Sequence, residues 1–140
     1  RVTKATAQIA ELADPDKRIS QGITVVIGII GRYPGSFVLD LLPDTAEKMT
    51  ETMLHRPAKS PTEVIQVVAE FANVVGGVAC SMLNKREKSF GLRVAPPSVF
   101  QGATNEITSP MLQMKGVEAD AGFGKLCLSF GFKKGTVLWM

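Results

Sequence analysis

The chain has 140 residues, 45% of them apolar and 21% charged, with a net charge of +3. That is the length of one compact domain, apolar enough to bury a core without disulfides or a structural metal and too apolar for disorder. The cationic excess is scattered. Its densest cluster, Lys85, Arg86 and Lys88, is broken by Glu87, and with one Trp and one Tyr in the chain no basic stripe with interleaved aromatics points to nucleic acid.

No secretory signal pattern is read in the opening residues. Residues 1 to 14 alternate loosely (Ala5, Ala7, Ile9, Glu11), which predicts a strand. Asp14-Pro15-Asp16-Lys17 is a turn sequence. Gly22 to Ile30 is rich in Val and Ile and reads as a strand buried on both faces. The apolar run Ile23 to Gly31 is well short of the roughly 20 residues a bilayer span needs. Arg32-Tyr33-Pro34-Gly35 makes a turn and Ser36 to Leu42 a second strand, so the pair predicts a hairpin.

Asp44 has the chemistry of a helix N-cap, with Glu47 three residues on completing a capping box. Ala46, Met49, Met53 and Leu54 form the apolar stripe of this first helix, and Arg56-Pro57 ends it. His55, the only histidine, falls at the helix end, where a positive charge favours the negative terminus. With no second candidate ligand beside it, a metal site is not expected.

The second helix has the clearest start. Ser60 is the cap, Pro61 takes the first turn, and Glu63 closes the box. The helix is expected to run to about Asn84. Val64, Val67, Val68, Phe71, Val75, Val78 and Met82 define its apolar face, and Glu63, Gln66, Glu70, Asn73 and Gly77 form a line on the opposite side.

Arg93 to Gly102 is extended, with Pro96-Pro97 confining it to a sheet edge or strand end. Residues 103 to 116 read as an irregular excursion and Ala119 to Gly124 as a turn after a short strand. Lys125 to Phe132 is a strong final strand. Gly35 to Leu41 is echoed by Gly124 to Phe130, each closing a predicted strand pair. Cys80 and Cys127 fall in a helical and a strand pattern, and read as two free thiols in a core.

Phosphate-cradling loops, nucleophile elbows and a second histidine are all absent, so a self-contained acid–base–nucleophile set is not expected. The exception is Glu70-Phe71-Ala72-Asn73-Val74-Val75-Gly76-Gly77, where a carboxylate and a carboxamide sit three apart before two mid-helix glycines. Each interior glycine costs roughly 1 kcal/mol relative to Ala, so something comes close there. From spacing alone, the favoured reading is a solvated polar face with glycines that admit a neighbouring helix of the same domain.

Glu70, Asn73, Gly77 and then Pro96 (or Pro97) together resemble the signature of the CheC/CheX/FliY chemotaxis phosphatases. Gly35 to Leu41, Ala46 and Met49, and the segment from Pro97 through Val99 to Gly102 are also similar to that family, so that the resemblance covers roughly residues 20 to 134. Four residues before the Glu, where the family usually has Asp or Ser, this chain carries Gln66, which is polar and faces the same way. Only one Glu-x-x-Asn is present, which resembles the single-site CheX branch.

The resemblance implies a single α+β domain over residues 1–140, with long helices packed on a mostly antiparallel sheet and a repeated helix-plus-strands unit. It implies hydrolysis of the aspartyl phosphate of a CheY-type receiver domain in chemotaxis signalling. Glu70 and Asn73 would be the catalytic pair, and Gln66 and Gly77 would line the partner contact. It further implies a cytoplasmic homodimer with no cofactor of its own, acting on a receiver that brings the Mg²⁺, and contact with neither membrane nor nucleic acid. The alternative is a non-catalytic receiver-binding module like the middle domain of the flagellar switch protein FliM.

Overall fold

The computed structural model describes residues 8–11, 17–19, 22–102, 106–108, 112–120 and 122–133. In chain order the elements are β1 (Gln8–Glu11), β2 (Lys17–Ile19), β3 (Ile23–Ile30), β4 (Gly35–Leu41), α1 (Pro43–Leu54), α2 (Pro61–Arg86), a 3₁₀ turn (Lys88–Phe90), β5 (Arg93–Val94), β6 (Ser98–Gln101), β7 (Glu106–Thr108), β8 (Leu112–Asp120) and β9 (Lys125–Lys133). The N-terminal strand expected from the loose alternation is β1. The turn read at Asp14 to Lys17 lies outside the described residues except for Lys17, which opens β2.

Seven strands form one antiparallel sheet in the order β1-β8-β9-β4-β3, with β5 and β6 both on the outer edge of β3. The hairpin of β3 and β4 is in register from Ile23↔Leu41 to Ile29↔Gly35. Val25, Ile27 and Ile29 are buried on the face that carries the helices. On the other face Thr24 is buried, Val26 is half-buried and Ile30 is exposed, so the strand is covered on both sides only at its start. Asp40 is buried on that second face and accepts a 2.8 Å hydrogen bond from the Thr24 hydroxyl. The two echoing segments are β4 and β9, antiparallel neighbours at the sheet centre with Leu39 opposite Leu128.

β6 pairs with Ile23 to Val26 and β5 with Ile29 and Ile30. Pro96-Pro97 occupies the break between them, where no ladder donor is required. The Ala95 N–H still reaches the Gly28 carbonyl at 2.8 Å.

Three expectations are corrected. Residues 103 to 116 are not simply irregular: they contain β7, paired with β2 in a separate two-stranded ribbon, and the start of β8. β8 is accordingly long, pairing with β9 from Leu112↔Lys133 to Asp120↔Lys125 and with β1 on its other side. Neither alternating set of β8, Leu112-Met114-Gly116-Glu118 or Gln113-Lys115-Val117-Ala119, is uniformly apolar, so its strand character comes from pairing with distant neighbours.

Asp44 is not the cap of α1. The N-cap is Leu42 with no side-chain bond, Pro43 starts the helix, and Asp44 falls in the first turn. Proline's fixed φ begins the helix earlier, and the Ala46 N–H bonds the Leu42 carbonyl at 3.0 Å. α1 buries Ala46 and Met49 and stops at His55, which takes a left-handed φ of 58°.

At α2, the Ser60 hydroxyl accepts from the Glu63 N–H at 3.1 Å, as expected of a cap. The capping box does not close on Ser60, however. The Glu63 carboxylate accepts instead from the Lys59 N–H at 2.8 Å and is gripped by both terminal nitrogens of Arg56 at 2.9 and 2.7 Å. The Arg56 hydrogen bonds, then the Lys59 N–H, pull the Glu63 carboxyl down to about 2. This clamp ties the end of α1 to the start of α2.

α2 is the one described helix long and apolar enough, by length and composition, to cross a bilayer. Here it is the central helix of a two-layer domain, laid against β3, β4, β5 and β6. Cys80 on α2 and Cys127 in β9 are both buried and form no disulfide, and the sheet lies between them: Cys127 alternates with Leu126 and Leu128 and so faces away from the helices.

Candidate functional site

The side of α2 that meets the sheet is the i, i+4 row Val68, Ala72, Gly76 and Cys80, with Phe71 beside it. This corrects the apolar face read from sequence. Val68 and Phe71 are buried and Val64, Val67 and Val75 half-buried, but Val78 and Met82 are 54% and 62% exposed. Small residues let the helix settle close to the sheet, and a count of large apolar side chains overlooks them.

The polar line emerges on the exposed flank. Gln66 and Glu70 are exposed, and Asn73 and Gly77 half-buried. Residues three and four apart on a helix have Cβ atoms about 5–6 Å apart, so Glu70 and Asn73 are surface neighbours, as are Asn73 and Gly77. Among the described residues, the Glu70 and Asn73 side chains have no hydrogen-bond or ion-pair partner. A carboxylate and a neutral carboxamide, side by side with their polar atoms unspent, are available to another molecule. The carboxamide both accepts and donates, and the carboxylate only accepts.

The two glycines divide. A Cβ on Gly76 would lie 3.3 Å from Val94 Cγ1 and 3.4 Å from Phe37 Cδ2, so Gly76 serves the packing of α2 on the sheet. A Cβ on Gly77 would have no atom within 4 Å outside its own helix. Nothing within the described fold requires a glycine there. Pro96 follows two residues after Val94, so β5 carries the chain from beneath Gly76 to the proline pair.

The site is a ridge along the exposed flank of α2. Two concavities among the described residues lie elsewhere: one of about 400 Å³ beside Ser60, Pro61 and Val64 at the start of α2, and one of about 950 Å³ on its far flank, lined by Val75, Met82, Val117 and Phe130. Neither contains Glu70 or Asn73, and the larger is lined mostly by apolar groups together with Lys85, Arg86 and Lys115. Among the described residues no three His, Cys, Asp or Glu side chains group as metal ligands. A ridge without a pocket suits a macromolecular partner better than a small molecule. Val74, 44% exposed between Glu70 and Gly77, belongs to the same ridge. Val78, one turn on, and Met82 beyond it are exposed as well, and periodicity alone leaves Val74 unassigned.

Residues 23–121 match the family model described as chemotaxis phosphatase CheX. No curated protein matches the chain. Among solved structures, the fold is similar to a putative chemotaxis protein from Desulfovibrio vulgaris Hildenborough, with a TM-score of 0.76 and 18% identity over 94% of this chain and 86% of that one. It is similar to CheX from Desulfovibrio desulfuricans, with a TM-score of 0.73 and 19% identity over 90% of this chain and 83% of that one. It is also similar to CheX of Borrelia burgdorferi, solved as a complex with CheY, BeF₃ and Mg²⁺, with a TM-score of 0.75 and 15% identity over 95% of this chain and 87% of that one.

Proposed function

The chain belongs to the CheX family of chemotaxis phosphatases, and from that premise we propose that it hydrolyses the aspartyl phosphate of a CheY-type receiver domain, with Asn73 and Glu70 as the residues that act. The observation that carries this is the unspent carboxylate–carboxamide pair on an exposed helix ridge, beside a glycine that the fold itself does not need. That the Borrelia CheX was solved with CheY, BeF₃ and Mg²⁺ supports a receiver as partner.

Phosphoryl transfer asks for in-line placement and charge neutralisation more than for covalent help from the protein. The receiver would bring the phosphorylated Asp, a Lys and the Mg²⁺, so this chain needs no cofactor of its own. The chain would supply a placed water. The Asn73 carboxamide oxygen accepts a hydrogen bond from the water, and being neutral it does not repel the phosphoryl oxygens. The water oxygen attacks phosphorus opposite the Asp oxygen, the P–O bond to Asp breaks with its electron pair returning to the receiver's Asp carboxylate, and inorganic phosphate leaves carrying the water's oxygen and protons. Glu70, one turn earlier, pairs with the receiver Lys and sets the register of docking. Gln66 extends the contact towards the helix start, and Gly77 lets the partner approach the helix backbone. A hundredfold acceleration needs only about 2.7 kcal/mol, within what positioning one water supplies. Action on a chemotaxis receiver assigns the chain to the cytoplasm, and the family implies a homodimer.

The test is phosphate release from a phosphorylated CheY-type receiver with and without the chain. A faster release that scales with the concentration of the chain supports the phosphatase. Binding without acceleration would make it a silent receiver-binding module instead.

A further inference from the structure

Asn84 stands three turns beyond Asn73 on α2 and within about 20° of the same line. Its carboxamide is spent on the segment that follows the helix: the oxygen accepts from the Leu92 N–H at 2.8 Å and the nitrogen donates to the Leu92 carbonyl at 2.9 Å. This clamp sets Arg93, the first residue of β5, at the C-terminal end of the ridge. The Arg32 N–H reaches the Phe90 carbonyl at 2.9 Å, its guanidinium reaches the Ser89 hydroxyl at 3.2 Å, and Tyr33 meets Phe90 edge-on with ring centres 5.3 Å apart. Arg32, Lys88 and Arg93 are thereby gathered at one end of the ridge, all exposed, with Glu87 as the acid among them. Lys85 and Arg86 fall in the last turn of α2, where any helix favours cations. Arg32 and Arg93 belong to other elements, and the helix end does not account for them. The ridge itself, Gln66, Glu70, Asn73 and Gly77, carries one formal charge, and that charge has the sign of a phosphoryl group.

Resting on the phosphatase function proposed above, we propose that Arg32, Lys88 and Arg93 form a cationic end-contact that draws in the phosphorylated receiver and orients it along α2. The complementary charge is the receiver's reacting end, where the aspartyl phosphate sits beside the oxygen ligands that hold Mg²⁺. A standard interface covers roughly 800 Å² per partner, a disc about 16 Å in radius. Asn84 lies about 16 Å along the helix axis from Asn73, so a receiver centred on Asn73 reaches the cluster with its edge. Charges at an interface rim speed encounter and fix orientation more than they hold the complex together. The clamp on Leu92 and the Arg32 contacts hold the cluster in place before the receiver arrives, which lowers the ordering cost of the contact. None of the three cations touches a reacting atom. They are positioning residues, and their contribution enters through kcat/KM.

The experiment follows decay of a CheY-type receiver phosphorylated with acetyl phosphate, across receiver and salt concentrations, with a thermal melt of each variant. The variants are Lys88→Glu/Arg93→Glu, Asn73→Ala, and Lys115→Glu/Lys125→Glu, which makes the same change in net charge on β8 and β9, on the other flank of α2. At low salt Lys88→Glu/Arg93→Glu should lower kcat/KM about tenfold through KM, with kcat within about twofold. The gap should close towards 1 M salt, where screening acts within about 3 Å. Lys115→Glu/Lys125→Glu should stay within about twofold of wild type. If Lys88→Glu/Arg93→Glu melts early, Lys88→Glu alone, on an exposed turn, should show a smaller fall of the same sign. An unchanged KM in these variants, with turnover lost in Asn73→Ala, overturns the end-contact and leaves the ridge standing. An equal loss in Lys115→Glu/Lys125→Glu also overturns it, because net charge and not the cluster then governs encounter. Turnover retained in Asn73→Ala overturns the ridge and the end-contact with it.

Discussion

Gly76 and Gly77 are adjacent in α2 and face opposite environments: a Cβ on Gly76 would press on Val94 and Phe37 at 3.3 and 3.4 Å, whereas one on Gly77 would meet nothing within 4 Å. One glycine lets the helix rest on its sheet. The other leaves a bare patch beside Asn73.

The contrast separates stability from function. Gly77→Ala gains helix propensity without a clash and should stabilise the fold by about 0.5–1 kcal/mol, or about 3 °C in melting temperature. Gly76→Ala makes the same gain but forces Val94 and Phe37 to give by a few tenths of an ångström, so it should melt below Gly77→Ala. Receiver dephosphorylation should move the other way: Gly77→Ala slows it through a raised KM, and Gly76→Ala leaves it closer to wild type. Melts and steady-state kinetics on the two variants check both halves.

The Arg56–Glu63 clamp gives the fold a dependence on acid. Glu63 is held at about 2 by Arg56 and the Lys59 N–H, below an ordinary value of 4.5. A carboxyl with a lowered folded pKa contributes stability that is complete above its unfolded value and lost as pH falls through the folded one. The clamp should therefore stabilise the protein fully at neutral pH and weaken between about pH 4.5 and 2. Glu63→Gln should melt below wild type at pH 7, and the gap should close as pH drops towards 2. A gap that is constant with pH would mean that the clamp does not form.

Glu70→Ala should act mainly on binding. Loss of one partner from a partly desolvated pair costs about 2–5 kcal/mol, some of it from the charge left behind. KM for the phosphorylated receiver should rise more than kcat falls, and added salt should narrow the gap from wild type. Replacing the receiver Lys should largely cancel the added effect of Glu70→Ala in a double-mutant cycle. Strictly additive losses would mean that Glu70 does not face the Lys.

The β3–β4 hairpin and the start of α2 were legible in the sequence because their determinants are local: a Val/Ile run bounded by a Pro-Gly turn, and Ser60-Pro61 at a helix start. β7 and most of β8 were not, because their strand character depends on β1, β2 and β9, which are distant in sequence. The start of α1 went to Asp44 because its side chain has cap chemistry, while Pro43 sets the boundary through backbone geometry. At the site, the spacing of Glu70 and Asn73 put them on one face of a helix from sequence alone. The different duties of Gly76 and Gly77, and the exposure of Val74, Val78 and Met82, depend on which side of α2 the sheet takes. The small residues Ala72, Gly76 and Cys80 decide that, and they carry little hydrophobic signal.

The most direct measurement is the rate of phosphate loss from a CheY-type receiver in the presence of Asn73→Ala, read beside a thermal melt. Asn73 is half-buried on an exposed helix flank and Ala is the better helix former, so folding should be unchanged or slightly strengthened. Stimulated dephosphorylation should fall by about a hundredfold, to near the receiver's own rate, as the loss of one positioned water requires. A folded Asn73→Ala that still accelerates phosphate loss as wild type does would contradict the role of the carboxamide and move the chemistry away from this ridge.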